Sequence, residues 1–115
     1  MNAQFKKGAM EICVLAILSK GDCYGYDLVT QISQHVDTSE GTIYPLLRRL
    51  KDDGQLETYL QESTSGPPRK YYHLTPRGEQ ILADSVNEWN DFVQGVYTIL
   101  RYHRPANIRK EEQHD

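Results

Sequence analysis

The sequence predicts a mainly α fold carrying one small β-hairpin. Apolar residues recur at helical spacing along successive stretches. Between the third stretch and the last, the period drops to two over two short runs separated by turn formers. The last stretch is long, and its apolar residues keep a spacing of 4, 3, 4, 3, 4. A chain of 115 residues makes one domain the expectation.

Phe5–Ser19 is helical by length and composition, and from Ala9 to Leu18 its only polar residue is Glu11. A helix apolar nearly all round needs cover on more than one side, so Leu15 and its neighbours are expected against a second subunit. Lys20-Gly21-Asp22 stops this helix. Tyr24–Val36 forms a second one, with Tyr24, Leu28, Ile32 and Val36 at i, i+4 spacing. After the short Asp37–Thr38 link, a third helix occupies Thr38–Gly54. Ser39 is its N-cap, and Glu40 places a carboxylate in the first turn, where the helix dipole favours it. Ile43, Leu46, Leu47 and Leu50 form its apolar stripe, and Gly54 is the C′ glycine that ends it. Pro45 fits this helix poorly, because proline lacks an N–H. Either the helix begins nearer Gly41 or it bends there. Two helices joined by a short turn make a helix-turn-helix.

Leu56, Thr58 and Leu60 then alternate with Glu57, Tyr59 and Gln61, as in a strand. Glu62–Pro68 is a cluster of turn formers, and Arg69–Leu74 is a second β-rich run. A hairpin directly after a helix-turn-helix is a wing. Thr75 and Pro76 open the last helix as N-cap and N1. Leu82, Val86, Trp89, Val93, Val96 and Leu100 form its heptad seam. Running to His103, it would be about 28 residues and about 42 Å long, suited to pairing with another subunit. The expected organisation is a winged helix-turn-helix over residues 1–75 and a dimerisation helix over 76–104. Pro105 ends the helix, and a charged, disordered tail over 105–115 follows.

Formal charge is −3, so any nucleic-acid binding has to come from a local positive face. Two cysteines, Cys13 and Cys23, do not make a disulfide framework, and they fit a reducing, cytoplasmic home. Cys13 reads as a buried thiol and Cys23 as a more exposed one in a loop. Ile12–Leu18 is too short to cross a membrane, and Met1–Lys7 is too short and polar for a signal peptide. The histidines His35, His73, His103 and His114 have no metal-ligand spacing, and no triad or carboxylate pair suggests catalysis. A non-enzyme with no cofactor and no metal is expected.

The third helix has an unusual outer face. Ser39, Gly41 and Thr42 sit at its tip, and Arg48, Arg49 and Lys51 follow one to two turns later. A helix that inserts its N-terminal end into the DNA major groove needs that layout.

The motifs YGYDL at Tyr24–Leu28, EGTIYPLLRRL at Glu40–Leu50, DDG at Asp52–Gly54 and GPPRKYYHLTPRG at Gly66–Gly78, with the Trp89-containing final helix, make the chain resemble the PadR family. These are bacterial transcriptional regulators, and the likeness is to short members with one C-terminal helix, over roughly residues 8–101. The resemblance implies a homodimer of winged helices, held by the first and last helices. It implies a double-stranded operator with inverted ATGT/ACAT-like half-sites, repression of neighbouring genes and release by an inducer. On that basis Ser39, Gly41, Thr42, Tyr44 and Pro45 approach bases or backbone, and Arg48 meets phosphate with Arg49 nearby. Arg69 and Lys70 reach the minor groove or phosphate from the wing, and a hydroxyl of Tyr24 or Tyr26 reaches a phosphate. Of Tyr71 and Tyr72, one faces the core and one faces out. Trp89, with Phe92 and Val93, is the candidate site for a small aromatic or phenolic effector. The alternative class is a winged-helix protein-interaction module without DNA binding. Over Gly41–Lys70 five cations face four carboxylates, so net charge barely separates the two.

Overall fold

The structure, a computed structural model, describes residues 3–103. The elements run α1 (Ala3–Leu18), β1 (Cys23–Tyr24), α2 (Gly25–Ser33), α3 (Glu40–Asp52), β2 (Leu56–Gln61), β3 (Arg69–Leu74) and α4 (Pro76–Leu100). The tail over 105–115, expected to be disordered, and His114 lie outside the described residues. The chain forms two compact units that divide at Ser85 and Val86, inside α4.

In the first unit, α1, α2 and α3 enclose one core with the inner face of the sheet. Met10, Val14, Leu15 and Leu18 come from α1, Leu28, Val29 and Ile32 from α2, and Ile43, Leu46, Leu47 and Leu50 from α3. Leu56, Tyr72 and Leu74 close it from the strands. Leu15, expected against a second subunit, lies in this core. It is 2% exposed in the single chain, because α1 packs on α2, α3 and β3 and finds its cover there. Leu82, expected on the subunit seam, is half-buried against this same core.

The sheet has three strands, not two, in the order β1-β3-β2, all antiparallel. The added strand is the pair Cys23–Tyr24, which sets Cys23 opposite Tyr72 and Tyr24 opposite Tyr71. Cys23 thus lies in a strand rather than a loop, and α2 starts one residue later than expected. Tyr72 is buried and Tyr71 only half-buried, as strand alternation requires. Leu56 is buried, but Leu60, four residues on, is 68% exposed, so the hairpin leaves the core as it goes.

Helix α3 begins at Glu40 and runs through Pro45 to Asp52. Ser39 caps it by conformation, at φ −146° and ψ 168°, without a side-chain bond. Its C-terminus is a complete Schellman motif. The Gln55 N–H donates to the Leu50 carbonyl (2.9 Å) and the Gly54 N–H to that of Lys51 (3.0 Å). Gly54 has φ +81°, which glycine adopts freely. Thr75 caps α4 as expected, its Oγ1 accepting from the Gly78 N–H at 3.0 Å. That hydroxyl also donates to the Gly54 carbonyl (2.7 Å) and the Gln55 carbonyl (3.0 Å). Arg77 Nε donates to the Asp53 carbonyl (2.9 Å) and its guanidinium pairs with the Asp53 carboxylate. The end of α3 and the start of α4 are thus one bonded junction.

In the second unit, Phe92, Val93, Val96, Tyr97, Ile99 and Leu100 are all exposed. The seam residues Val86 and Trp89 are half-buried. The helix stops at Leu100, short of His103. Among the described residues no helix is long and apolar enough to cross a membrane.

Candidate nucleic-acid interface

The buried stripe of α3 fixes its rotation. With Ile43, Leu46, Leu47 and Leu50 inward, a turn of 100° per residue sets Gly41, Pro45, Arg48 and Asp52 on the opposite line. Gly41, Pro45 and Arg48 are exposed there, with Ser39 and Thr42 exposed at the tip. The first two turns of the line carry no bulky side chain, and a cation follows.

Tyr44 lies on the flank towards the sheet and is only half-buried. Its ring stands over Gly25, where an added Cβ would lie 3.1 Å from Tyr44 Cε1 and 3.3 Å from Tyr72 Cε1. That close approach is a packing reason for glycine in YGYDL. Desolvation, with Glu40 beside it, pushes the Tyr44 hydroxyl above its ordinary value.

A cleft runs between α3 and β3, lined by Tyr24, Gly25, Tyr44, Arg48, Lys51, Lys70 and Tyr72. Its charged residues, Arg48, Lys51 and Lys70, are all cationic. The local positive face that the overall charge required is here. Lys51 belongs to it, although sequence reasoning did not rank it among the contact residues.

Arg49 does not belong to it. Its guanidinium pairs with the Glu11 carboxylate on α1, 38 residues away in sequence. Adjacent residues on a helix point 100° apart, so Arg49 faces α1 where Arg48 faces out. Arg69 is turned towards a tyrosine, with its guanidinium carbon 4.8 Å from the centre of the Tyr24 ring. Two of the expected contacts, Tyr24 and Arg69, are thereby brought together at the N-terminus of α2. Tyr26, in the first turn of α2, is 54% exposed.

The outer face of the sheet carries an aromatic row that the sequence did not reveal. Tyr59 stacks on Tyr71 with centroids 5.7 Å apart, and Tyr71 meets Tyr24 at 6.1 Å. Asp22 ties it down. Its carboxylate accepts from Tyr59 Oη (2.7 Å) and lies 2.8 Å from His73 Nδ1. Bonds from Tyr59 and His73 hold the Asp22 carboxyl below its usual range, and Asp22 in turn raises His73. Burial pushes the Cys13 and Cys23 thiols up, away from the thiolate form. The candidate effector residues lie in the second unit, Trp89 half-buried and Phe92 and Val93 exposed. Among the described residues no cluster of three or more His, Cys, Asp or Glu side chains suits a metal ion.

Residues 14–84 match the family model described as the transcriptional regulator PadR-like family. Among solved structures, the chain is similar to a PadR-like transcriptional regulator from Bacillus cereus. That match has 39% identity and a TM-score of 0.77, covering 85% of this chain and 97% of the other. A PadR-like transcription factor from Bacteroides fragilis matches at 40% identity and a TM-score of 0.72, covering 84% and 94%. A transcriptional regulator of Mycobacterium tuberculosis is 32% identical over 82 residues, 70% of this chain and 76% of its own. These likenesses extend beyond the winged-helix unit into α4 and point to a DNA-binding regulator, not an enzyme. The chain belongs to the PadR-like family of transcriptional regulators.

Proposed function

We propose that the chain is a sequence-specific repressor, acting as a homodimer on an inverted-repeat operator and released by a small aromatic or phenolic effector. The observation that carries the DNA reading is the cationic cleft beside the outward line of α3. Arg48, Lys51 and Lys70 offer phosphates three cations, while Gly41, Thr42 and Pro45 present a low-profile tip to the groove. Arg69 and Tyr24 stand ready for one further phosphate at the head of α2.

The homodimer reading rests on the second unit. Beside the seam residues Val93, Val96 and Leu100, the neighbouring stripe of Phe92 and Ile99 is also exposed and apolar. A face that wide is more than a two-helix seam needs, and it fits a helix packed against two elements of a partner. Each large apolar side chain buried there contributes about 1.5–3 kcal/mol. Half-sites one helical turn apart need two recognition helices about 34–36 Å apart, which a fixed dimer supplies. Trp89, Phe92 and Val93 lie on the same face, so a flat ligand bound there would alter how two copies pack. An inducer needs a coupling of about 1–3 kcal/mol between that site and the DNA.

The test is a gel shift on the DNA upstream of the chain's own gene, over a salt series. Tight binding to that duplex, weaker binding to random DNA and a steep loss with salt are expected. Equal affinity for both duplexes would overturn sequence specificity. No binding to either at low salt would favour the protein-interaction module. Effector release is tested by Trp89 fluorescence. Quenching by a phenolic compound without loss of DNA affinity would leave Trp89 a packing residue.

A further inference from the structure

Gly41 and Pro45 both weaken a helix, and they stand one turn apart on the outward line of α3. The fold requires neither. A Cβ added at Gly41 would meet only Ser39 Oγ at 3.7 Å, an ordinary contact, and the backbone there is not left-handed. Pro45 is exposed and is not part of the core. Together they alter the backbone on that line. Pro45 has no N–H, so the carbonyl four residues earlier, that of Gly41, loses its helical donor. Gly41 itself adds no side chain to this line, so a partner can approach the backbone closely there. The pair therefore leaves an acceptor without its usual partner on the most exposed line of the helix.

We infer that the Gly41 carbonyl is a base-reading group, accepting a hydrogen bond from an exocyclic amino group in the major groove. This rests on the reading of α3 as the recognition helix. The major-groove edge offers a backbone acceptor only two donors, N4 of cytosine and N6 of adenine. The Pro45 ring does not compete for them, since it carries no polar atom. Sequence is thereby read by the main chain at a position where neither residue contributes a polar side chain. This specificity is absent from any count of side-chain contacts.

The experiment lets the full chain select its preferred duplex from a random library. Each adenine is then replaced by purine, which lacks the 6-amino group, and each cytosine by 2-pyrimidinone, which lacks the 4-amino group. Affinities of the wild type, Pro45→Ala and Pro45→Gly are measured by fluorescence anisotropy. Both variants restore the N–H that engages the Gly41 carbonyl within the helix, and Pro45→Ala should melt no lower than the wild type. The wild type should lose about tenfold at one position per half-site when the amino group is removed. The variants should lose less than about twofold at that same position. Equal losses in all three proteins overturn the assignment, as does a wild type indifferent to every replacement. A wild type that selects no duplex at all refutes the DNA-binding reading itself, which is a separate outcome.

Discussion

Replacing Gly78 by alanine tests the junction between α3 and α4. The added Cβ would lie 2.3 Å from the Gln55 carbonyl oxygen and 2.5 Å from Leu74 Cδ1. The first of these is backbone, held in place by the Schellman motif and by two donors from Thr75. Relief requires the first turn of α4 to back away by close to an ångström. Overpacking of this kind costs about 1–3 kcal/mol. Retreat also breaks the bond from the Gly78 N–H to Thr75 Oγ1, an N-cap contribution of about 1 kcal/mol. The bond from the Thr75 N–H to the Gln55 carbonyl, 3.1 Å long, contributes about 1 kcal/mol more. The expected loss is about 3–5 kcal/mol, a large share of the stability of a small domain. Urea unfolding at fixed protein concentration should show a much lower midpoint with an unchanged slope. Gly8→Ala, where a Cβ meets nothing within 4 Å, is the control and should be neutral or mildly stabilising. A Gly78→Ala midpoint within about 1 kcal/mol of the wild type would refute the reasoning.

Neighbouring arginines should behave differently. Arg48→Ala should weaken binding to all duplexes about equally and flatten the salt slope by about one unit, whereas Arg49→Ala should leave the slope unchanged. Arg49→Ala should cost at most about 1 kcal/mol of stability, since its pair with Glu11 is exposed to solvent. Equal slopes for the two variants would undo the division of roles. Val93→Glu should give monomers in sedimentation and lose operator binding together, and a monomer that still binds tightly would break the link. The pair of Asp22 and His73 should stabilise the fold between about pH 4 and 6.5. Its His73 part is lost as pH rises through the raised imidazole value, and its Asp22 part as pH falls through the lowered carboxyl value. An NMR titration should place His73 above 6.5, and Asp22→Asn should bring it back; a wild-type value at or below 6.5 would contradict this.

What was legible in the sequence was local. The boundaries of β2 and β3, the cap at Thr75 and the glycine at position 54 follow from neighbouring residues, and the structure has them there. What was hidden depends on partners far along the chain. Cys23–Tyr24 is a strand only because β3 lies beside it, and two residues leave no periodic mark. Arg48 and Arg49 look alike in sequence, and only Glu11, on another helix, separates them. Leu15 looked like surface for a partner because α1 is apolar all round, yet α2, α3 and β3 supply its cover. The aromatic row failed to show for the same reason, since Tyr24, Tyr59 and Tyr71 meet only across strands. Pro45 is the instructive conflict. It opposed the helix on propensity, and the helix formed regardless, because Ile43, Leu46, Leu47 and Leu50 bury its inner face.

The base of the wing is sealed beyond its last paired strand residues. Leu56 pairs with Leu74, and the Thr75 N–H to Gln55 carbonyl bond adds one more rung below. Asp22 clips the middle of the hairpin to the turn before β1. The run from Glu62 to Pro68, exposed except at Ser63, is therefore insulated from the core by a closed zipper. Lengthening such a loop is cheap, about 0.6 kcal/mol for each doubling. The loop can therefore change in length and charge while the helices and their junction stay as they are. This is the part of the chain whose alteration endangers folding least.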